Sequence, residues 1–410
     1  MNHFAPHSLY CAILLLIAQS SWADPRADFD QAYKDYGLHI KANNIADALN
    51  AAKNAHRLGT KVFGKKSVNV ANLASNYAEL LNSTEDYAKA RKVLKGQVAI
   101  LEKRYGDTAT ELVKPLIESG RAWVGTKDAQ EGLDYFERAA KLSNGYTNKL
   151  FEAQKNLDIV TILLRRGQGE SIKPFVDRAY DIYSVEVVPN DFRLGLMSYH
   201  KSIIAARENR SNEAIEYLMG ALTAFKAPAG ESIGDLERTA RTRLIAAYEN
   251  TSQRDAATEH CLVLAADQEF SPTAPSIFRK EAVFSDAVME QKLGGSVTLA
   301  FTIDEQGYVV DPTIQASDDQ RLNEPALTMI KGSRYLPRLV DGQPVATPYI
   351  VFTAIFQPPS EITTQRRNKF QRPGERGLMN ADRTDLSECS DPSSTLPQCD
   401  TGFGGKSGGK

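Results

Sequence analysis

Small residues recur at a near-constant interval through much of this 410-residue chain. From about Phe29 to Asp267 the sequence reads as amphipathic helix, and a motif recurs in it: a small residue, a bulky residue four positions later and a small residue three positions after that. The six occurrences are Ala48/Ala52/Ala55, Ala90/Leu94/Gln97, Gly132/Phe136/Ala139, Ile172/Val176/Ala179, Ala214/Leu218/Ala221 and Ala257/Cys261/Leu264. Subtracting the numbers of their first residues gives intervals of 42, 42, 40, 42 and 43.

Such a period predicts a stack of helix pairs, because one pair cannot bury its apolar face without a neighbour. The repeated stretches resemble tetratricopeptide repeats of a long, 42-residue kind. The resemblance implies a mostly α fold, an α-solenoid of about six helix pairs over residues 24–268. It also implies a concave binding surface formed by the first helices of the pairs. A spacer or a dimer face is the alternative use of that surface.

The first 23 residues contain no Lys, Arg, Asp or Glu, and they include an apolar run from Leu9 to Ala18. Ser21-Trp22-Ala23 follows the run, so the pattern predicts a signal peptide over residues 1–23, with cleavage after Ala23. A run of about ten apolar residues is too short for a membrane span, which needs roughly 20. An N-terminal anchor that is not cleaved is the alternative, since no positive charge precedes the run.

Charge and cysteine content exclude several classes of protein. A formal net charge of −2 is unlike the basic excess of nucleic-acid-binding proteins. Export permits disulfides, and Cys389 and Cys399 are close enough in sequence to close a small loop. Cys261 lies in the helical pattern and is predicted to be a buried small apolar residue. Without a Cys/His cluster, the sequence predicts no zinc site and no other cofactor.

Two short motifs imitate catalytic ones. Residues Gly59 to Lys66, GTKVFGKK, approach a phosphate-binding loop, but Lys66 stands where Ser or Thr would hold magnesium. Residues Gly230 to Gly234, GESIG, spell a serine-hydrolase elbow but lie between two predicted helices, where no strand can present Ser232. With no nucleophile, base and orienting group in any pattern, the chain is predicted not to be an enzyme.

The pattern changes after Phe270, where two prolines indicate a linker. Alternating apolar residues then predict strands, and a short capped helix lies between them. The predicted elements are strand 297–303, hairpin loop 304–307, strand 308–316, a helix over 322–332 beginning with Asn323 as its cap, and a last strand over 349–356. The helix carries an apolar stripe that we expect to cover the hairpin, formed by Leu322, Ala326, Met329 and Ile330.

The order of residues in this segment resembles the C-terminal domain of TonB, the energy transducer of the Gram-negative envelope. The matching positions are Gly295, Val297, Phe301, Ile303, Asp304, Gly307, Val309, Ala326, Leu327, Arg334, Tyr335, Pro337, Asp341, Gly342, Pro344, Val345 and the closing TAIF of residues 353–356. The resemblance spans about residues 272–358 and implies a small α/β domain with a three-stranded sheet over 269–358. The polar residues 359–410 are predicted to form a disordered tail.

The resemblance implies that a partner segment binds by adding a strand to the sheet. The residues give a separate reason, because exposed edge strands are normally guarded by charge or proline and the last strand has neither. The predicted partner-binding residues are Tyr349, Ile350, Val351, Phe352, Thr353, Ala354, Ile355 and Phe356. The alternative is that this strand lies inside the sheet or is covered by the tail.

Together these features predict a non-enzymatic periplasmic adaptor of the TonB type, acting in outer-membrane transport. The implied partner is a protein, an outer-membrane TonB-dependent transporter, with no nucleic acid and with only indirect membrane contact unless the N-terminal segment is retained. A retained segment would instead anchor the protein in the inner membrane. An envelope scaffold that acts through its helical repeats, with the sheet used for homodimerisation, is the alternative function.

Overall fold

The computed structural model describes residues 24–126, 129–228 and 231–357. The predicted signal peptide, the predicted tail and the cysteines Cys389 and Cys399 lie outside the described residues. The described part forms two compact units, one that ends at Tyr135 and one that begins at Phe136.

Helices fill the described chain up to Asp267, and they follow one another as six pairs. Their bounds are α1 Pro25–Lys41, α2 Ile45–Phe63, α3 Val68–Ser83, α4 Tyr87–Leu94, α5 Gln97–Tyr105, α6 Val113–Val124, α7 Ala129–Ser143, α8 Lys149–Arg165, α9 Lys173–Glu186, α10 Phe192–Arg207, α11 Ser211–Phe225, α12 Asp235–Asn250 and α13 Arg254–Asp267. Helices α4 and α5 together take the place of one second helix. The predicted mostly α, tetratricopeptide-like fold class is confirmed.

Several of these helices begin directly after a residue whose side chain caps the first turn. Asp24, Asn44, Ser67 and Asp86 each accept a hydrogen bond from a backbone N–H in the first turn of the following helix. Such caps satisfy backbone donors that have no partner inside the helix. In the first unit, four residues of the predicted pattern are buried in one cluster with Tyr77 and Leu81 of α3, namely Ala48, Ala52, Ala90 and Leu94. Ala55, also predicted, is buried in a second cluster with Phe29 and Leu73.

The second helix of the second pair is interrupted. The i, i+4, i+7 pattern predicts one continuous helix through Ala90, Leu94 and Gln97, but α4 ends at Leu94 and α5 begins at Gln97. Gly96 has a φ of +77°, which breaks the helical backbone and which glycine adopts at little steric cost. Gln97 is consequently only half-buried, whereas Ala90 and Leu94 are buried.

In the second unit, α8 to α13 pack in sequence, each helix against the next along the chain. Every predicted small or apolar position of α9, α11 and α13 is buried: Ile172, Val176, Ala179, Ala214, Leu218, Ala221, Ala257, Cys261 and Leu264. Close approach of the helix backbones requires these positions to be compact, which explains why the interval between them is kept.

A small α/β module follows α13 in the same unit. Its elements are α14 Asp286–Glu290, β1 Gly295–Ile303, β2 Val309–Ser317, a 3₁₀ turn Gln320–Leu322, α15 Asn323–Lys331, β3 Arg338–Val340, β4 Gln343–Val345 and β5 Thr347–Phe356. The main sheet has the order β2-β1-β5 and is antiparallel throughout. The predicted three-stranded sheet is confirmed, and β3 and β4 add a separate two-stranded ladder that the sequence did not predict.

The core of the module forms between one face of the sheet and α15. Alternate residues of β1 are buried there, Val297, Leu299, Phe301 and Ile303. The predicted helical stripe of Leu322, Ala326, Met329 and Ile330 covers them. Alternation in a strand places every second side chain on the same face, so one helix suffices to cover the sheet.

The N-terminal cap of α15 differs from the prediction. Asn323 lies inside the first turn rather than before it, and its side-chain Oδ1 is buried without a hydrogen-bond partner. Asp319 caps the preceding 3₁₀ turn instead, because its carboxylate accepts from the backbone N–H of Arg321. The 3₁₀ turn extends the helical segment toward β2 and moves the cap upstream.

Candidate partner-binding edge

Strand β5 lies at the edge of the sheet and pairs only with β1. Its register places Ile350 opposite Phe301, Phe352 opposite Leu299 and Ala354 opposite Val297. Within residues 24–126, 129–228 and 231–357, no backbone hydrogen bond joins β5 to any segment other than β1. The N–H and C=O groups along its other side have no backbone partner among the described residues, which is the arrangement of an exposed sheet edge.

The two faces of β5 differ in exposure. Ile350 and Ala354 are buried in the core of the module. On the opposite face, Tyr349, Val351 and Ile355 are 84%, 57% and 77% exposed. Large apolar side chains at such exposure are unusual on a strand edge and are typical of a contact surface.

A shallow cavity of about 270 Å³ runs along the core side of β5. Arg279 and Met329 line it together with residues Phe352 to Phe356. The guanidinium carbon of Arg279 lies 4.9 Å from the ring centroid of Phe352, within the range of a cation–π contact. Side chains of an added strand that point toward the core side would enter this cavity.

The beginning of β5 is irregular. Between the pairs Phe301–Ile350 and Ile303–Thr347, one residue of β1 faces two residues of β5, Pro348 and Tyr349. This is a β-bulge, and Tyr349 adopts a φ of +63° in it. The predicted site residues thus share one strand, but Tyr349 lies in the bulge and the regular edge begins at Ile350.

The module is fixed to the last helix pair by a buried arginine whose structural role sequence reasoning missed. The side chain of Arg334 is fully buried, and its guanidinium donates to the carboxylate of Glu249 on α12 and to the hydroxyl of Thr258 on α13. It also donates to the backbone carbonyl of Gln306 and lies 3.8 Å from the ring centroid of Tyr308. A buried arginine needs this many acceptors to offset its desolvation.

Apolar contacts complete this joint between the module and the helices α12 and α13. Phe278, from the segment before the sheet, is buried among residues of α12 and α13, and its backbone pairs with that of Arg334 in both directions. Cys261 lies in the same cluster, as a buried free thiol, so its predicted role as a small apolar residue is consistent with its place. Burial raises the pKa of the Cys261 thiol to about 12, which makes it unreactive in the folded protein.

The two motifs rejected from the sequence have no catalytic geometry. Residues Gly59 to Phe63 belong to the last turns of α2, so no strand precedes the GTKVFGKK segment. Ser232 lies between α11 and α12, and its hydroxyl donates to the carboxylate of Asp267 at 2.8 Å. Among the described residues, no group of His, Cys, Asp and Glu side chains could hold a metal ion.

The first unit has a separate polar groove of about 250 Å³. Asn72 and Asn76 line it from α3, Tyr105 from the end of α5, and Lys114 from α6. Lys114 donates to Asn76 and forms an ion pair with the carboxylate of Glu79 at 2.7 Å. The groove therefore offers amide and ammonium groups on adjacent helices, which suits a polar chain more than an apolar one.

The C-terminal segment matches a known protein family. The family model of the Gram-negative bacterial TonB protein C-terminal matches residues 280–357. A secreted RxLR effector protein of Plasmopara halstedii is 25% identical over 264 residues, covering 53% of this chain and 81% of that protein.

Two solved structures are similar to the helical part. One is a Podosopora anserina putative kinesin light chain with nearly identical TPR-like repeats, at 12% identity and a TM-score of 0.39, covering 48% of this chain and 95% of that one. The other is BtubC from P. vanneervenii, also at 12% identity and a TM-score of 0.39, covering 64% of this chain and 98% of that one.

None of the helices in the described ranges is long and apolar enough to cross a membrane. The resemblance read from the residues of the module is confirmed by the family match. This chain combines helix pairs of the tetratricopeptide-like kind with a segment, residues 280–357, that is similar to the C-terminal domain of TonB.

Proposed function

We propose that this protein is a non-enzymatic adaptor of the Gram-negative envelope that binds an extended partner segment along β5. The observation that carries the proposal is the edge formed by residues 350–356, which contain no charge and no proline and whose backbone pairs only with β1 among the described residues. The similarity of residues 280–357 to the TonB C-terminal domain supports an outer-membrane TonB-dependent transporter as the partner.

When a partner binds as an added strand, its main chain and its side chains contribute differently to binding. Hydrogen bonds to the free N–H and C=O groups of β5 supply affinity whatever the partner sequence. Specificity comes from alternate side chains of the partner, which meet the cavity beside Arg279 and Met329 on one face and the exposed Val351 and Ile355 on the other.

Export to the periplasm belongs to the same proposal, with residues 1–23 as the signal. Sequencing the N-terminus of the protein purified from envelope fractions tests it. A chain that begins at Asp24 supports a free periplasmic adaptor. A chain that begins at Met1 and sediments with the inner membrane contradicts it and supports an anchored transducer.

Crosslinking tests the binding edge. We place a photoreactive phenylalanine at Ile355 on β5 and, as the matched control, at Gln315 on the exposed side of β2, and irradiate cells that express each variant. The proposal predicts a crosslink from position 355, but not from 315, to the periplasmic segment of an outer-membrane transporter, identified by mass spectrometry. Crosslinks only to a second copy of the chain would instead support the sheet as a dimer interface.

A scaffold that acts through the helical part is the second candidate, and the groove of Asn72, Asn76, Tyr105 and Lys114 favours it. The same crosslinker at Tyr105, which is partly exposed, separates the two. Capture of an envelope protein from Tyr105 together with no capture from Ile355 would assign the function to the helices.

A further inference from the structure

Tyr349 has a backbone conformation that its side chain disfavours. Its φ of +63° lies in the left-handed region, where a bulky residue is a true outlier. Among the described non-glycine residues with positive φ, it is the only aromatic one; the others are Asn43, Glu85, Asn209, Ser252, Lys292, Asp311 and Asp341. Asn and Asp tolerate this conformation better because their short side chains can bond to the nearby backbone.

Packing within the described protein does not explain the choice of tyrosine at this position. Its side chain is 84% exposed, the most exposed of the large apolar and aromatic residues in the described ranges. Glycine or asparagine would form the same bulge with less strain. A strained residue that contributes little to the core is a reason to look for a role in binding.

The bulge also fixes where the ring stands relative to the open edge. Regular pairing of β5 with β1 runs from Ile350 to Phe356, and the bulge interrupts it directly before Ile350. An added strand can therefore pair with residues 350–356, and the ring of Tyr349 stands at the end of that stretch. Val351, also exposed, is its neighbour two residues along the strand.

We propose that Tyr349 is the anchor that sets affinity and register for the segment bound along β5. This inference rests on the proposed function, and its occupant is the same extended segment of an outer-membrane transporter. An apolar side chain of that segment packs on the ring, and the bulge stops the segment from sliding past it. Tyrosine suits this role because it contributes a large contact area for the loss of only two side-chain torsions.

The test uses a fluorescent synthetic peptide that copies the transporter segment crosslinked from position 355, with binding to the full chain measured by fluorescence anisotropy. Tyr349→Gly is expected to weaken binding at least tenfold, and Tyr349→Asn likewise, while Tyr349→Phe stays within twofold of the unchanged protein. Asp341→Gly is the matched control: it relaxes another left-handed residue, in the β3–β4 turn, and is expected to leave binding unchanged.

Thermal unfolding of the same variants separates binding from folding. Because the ring is exposed and the backbone strain is relieved, Tyr349→Gly and Tyr349→Asn are expected to unfold at no lower temperature than the unchanged protein.

Equal binding of the peptide by Tyr349→Gly and by the unchanged protein would overturn the anchoring role of Tyr349 while leaving β-augmentation intact. If the unchanged protein fails to bind the peptide, the proposed function and the anchor both fall. Increased self-association of Tyr349→Gly with unchanged peptide binding would show that the bulge only guards the edge.

Discussion

The two outer strands of the sheet are interrupted in different places. Strand β2 carries Asp311 in a left-handed conformation, followed by Pro312, and its pairing with β1 shifts register twice. Strand β5 carries no charge, and its proline, Pro348, and its bulge both lie at its beginning, before Ile350. Charge, proline and bulges are the usual means by which proteins prevent an edge from pairing with other chains.

The strands also differ in what holds them. Tyr308, immediately before β2, bonds through its hydroxyl to Glu249 and stacks near the guanidinium of Arg254, both in the last helix pair. Strand β5 has no such tie among the described residues. The difference indicates that the β2 side of the sheet attaches the module to the helices, and it is consistent with the proposal that a partner segment binds along β5.

Replacing Arg334, which attaches the β2 side of the sheet to α12, should have the largest effect on stability. Arg334→Leu leaves the carboxylate of Glu249 buried without its partner, which typically costs about 3–5 kcal/mol in the free energy of unfolding. Chemical denaturation measures this loss. Faster alkylation of the Cys261 thiol, buried in the same joint, should report its opening under native conditions.

Arg338→Leu is the control for that substitution, since Arg338 is exposed on β3. It should change the free energy of unfolding by less than about 0.5 kcal/mol. If Arg334→Leu were as mild as Arg338→Leu and left Cys261 protected, the joint would not be what attaches the β2 side.

Distorting the β1–β2 hairpin should have the next largest effect. Gly307 has a φ of +90°, and a Cβ there would lie 2.1 Å from the carbonyl oxygen of Tyr335, so Gly307→Ala should cost at least about 2 kcal/mol. Gly342→Ala, in the β3–β4 turn, meets a positive φ but no atom within 4 Å. It should cost about 1 kcal/mol. Equal losses in denaturation experiments would contradict the close contact at Gly307.

A charge placed on the open edge should abolish the difference between the two strands without unfolding the sheet. Val351→Lys is expected to weaken binding of the transporter peptide at least tenfold, about 1.4 kcal/mol, because a lysine guards an edge against an added strand. Gln315→Lys, on β2, should leave binding within twofold. Both side chains are exposed, so stability should change by less than about 0.5 kcal/mol. Similar binding by both variants would show that the segment does not pair with β5.

Acid should have the smallest effect, and only on the β2 side. The carboxylate of Asp318, just after β2, accepts hydrogen bonds from the backbone N–H and the hydroxyl of Ser296, and these bonds lower its pKa. A lowered pKa means that the stabilisation is complete above the ordinary value for an aspartate and is lost as the pH falls through the lower, folded-state value. The amide resonance of Ser296 should therefore be constant from pH 5 to 8 and shift only in stronger acid. Asp318→Asn should remove that titration, and a shift that persists in this variant would contradict the assignment.

Periodicity made most of the fold predictable. The apolar residues of the helix pairs and of β1 recur with the spacing of their elements, so that burial followed directly from the pattern. Elements too short to show a period were missed, among them α14 with five residues and the three-residue strands β3 and β4. Gly96 was missed as a break because the apolar pattern continues across it.

The site was predictable in composition but not in geometry. A strand without charge fits the centre of a sheet as well as its edge, and only the strand order places β1 in the centre and β5 outside. The pattern of residues 349–356 in the sequence does not indicate the bulge at Tyr349. Arg334 stood out only as a position of the TonB resemblance, and nothing in the sequence indicated its ion pair, because its partner Glu249 lies 85 residues earlier in the chain.

The buried ion pair between Arg334 and Glu249 has a mechanical consequence. If a segment binds along β5 as proposed, force on that segment would pass through β1 and its hairpin to α12, because Arg334 joins the hairpin at Gln306 to Glu249. The last helix pair would then bear the force directly, and a protein bound to those helices would receive it without a flexible linker in between.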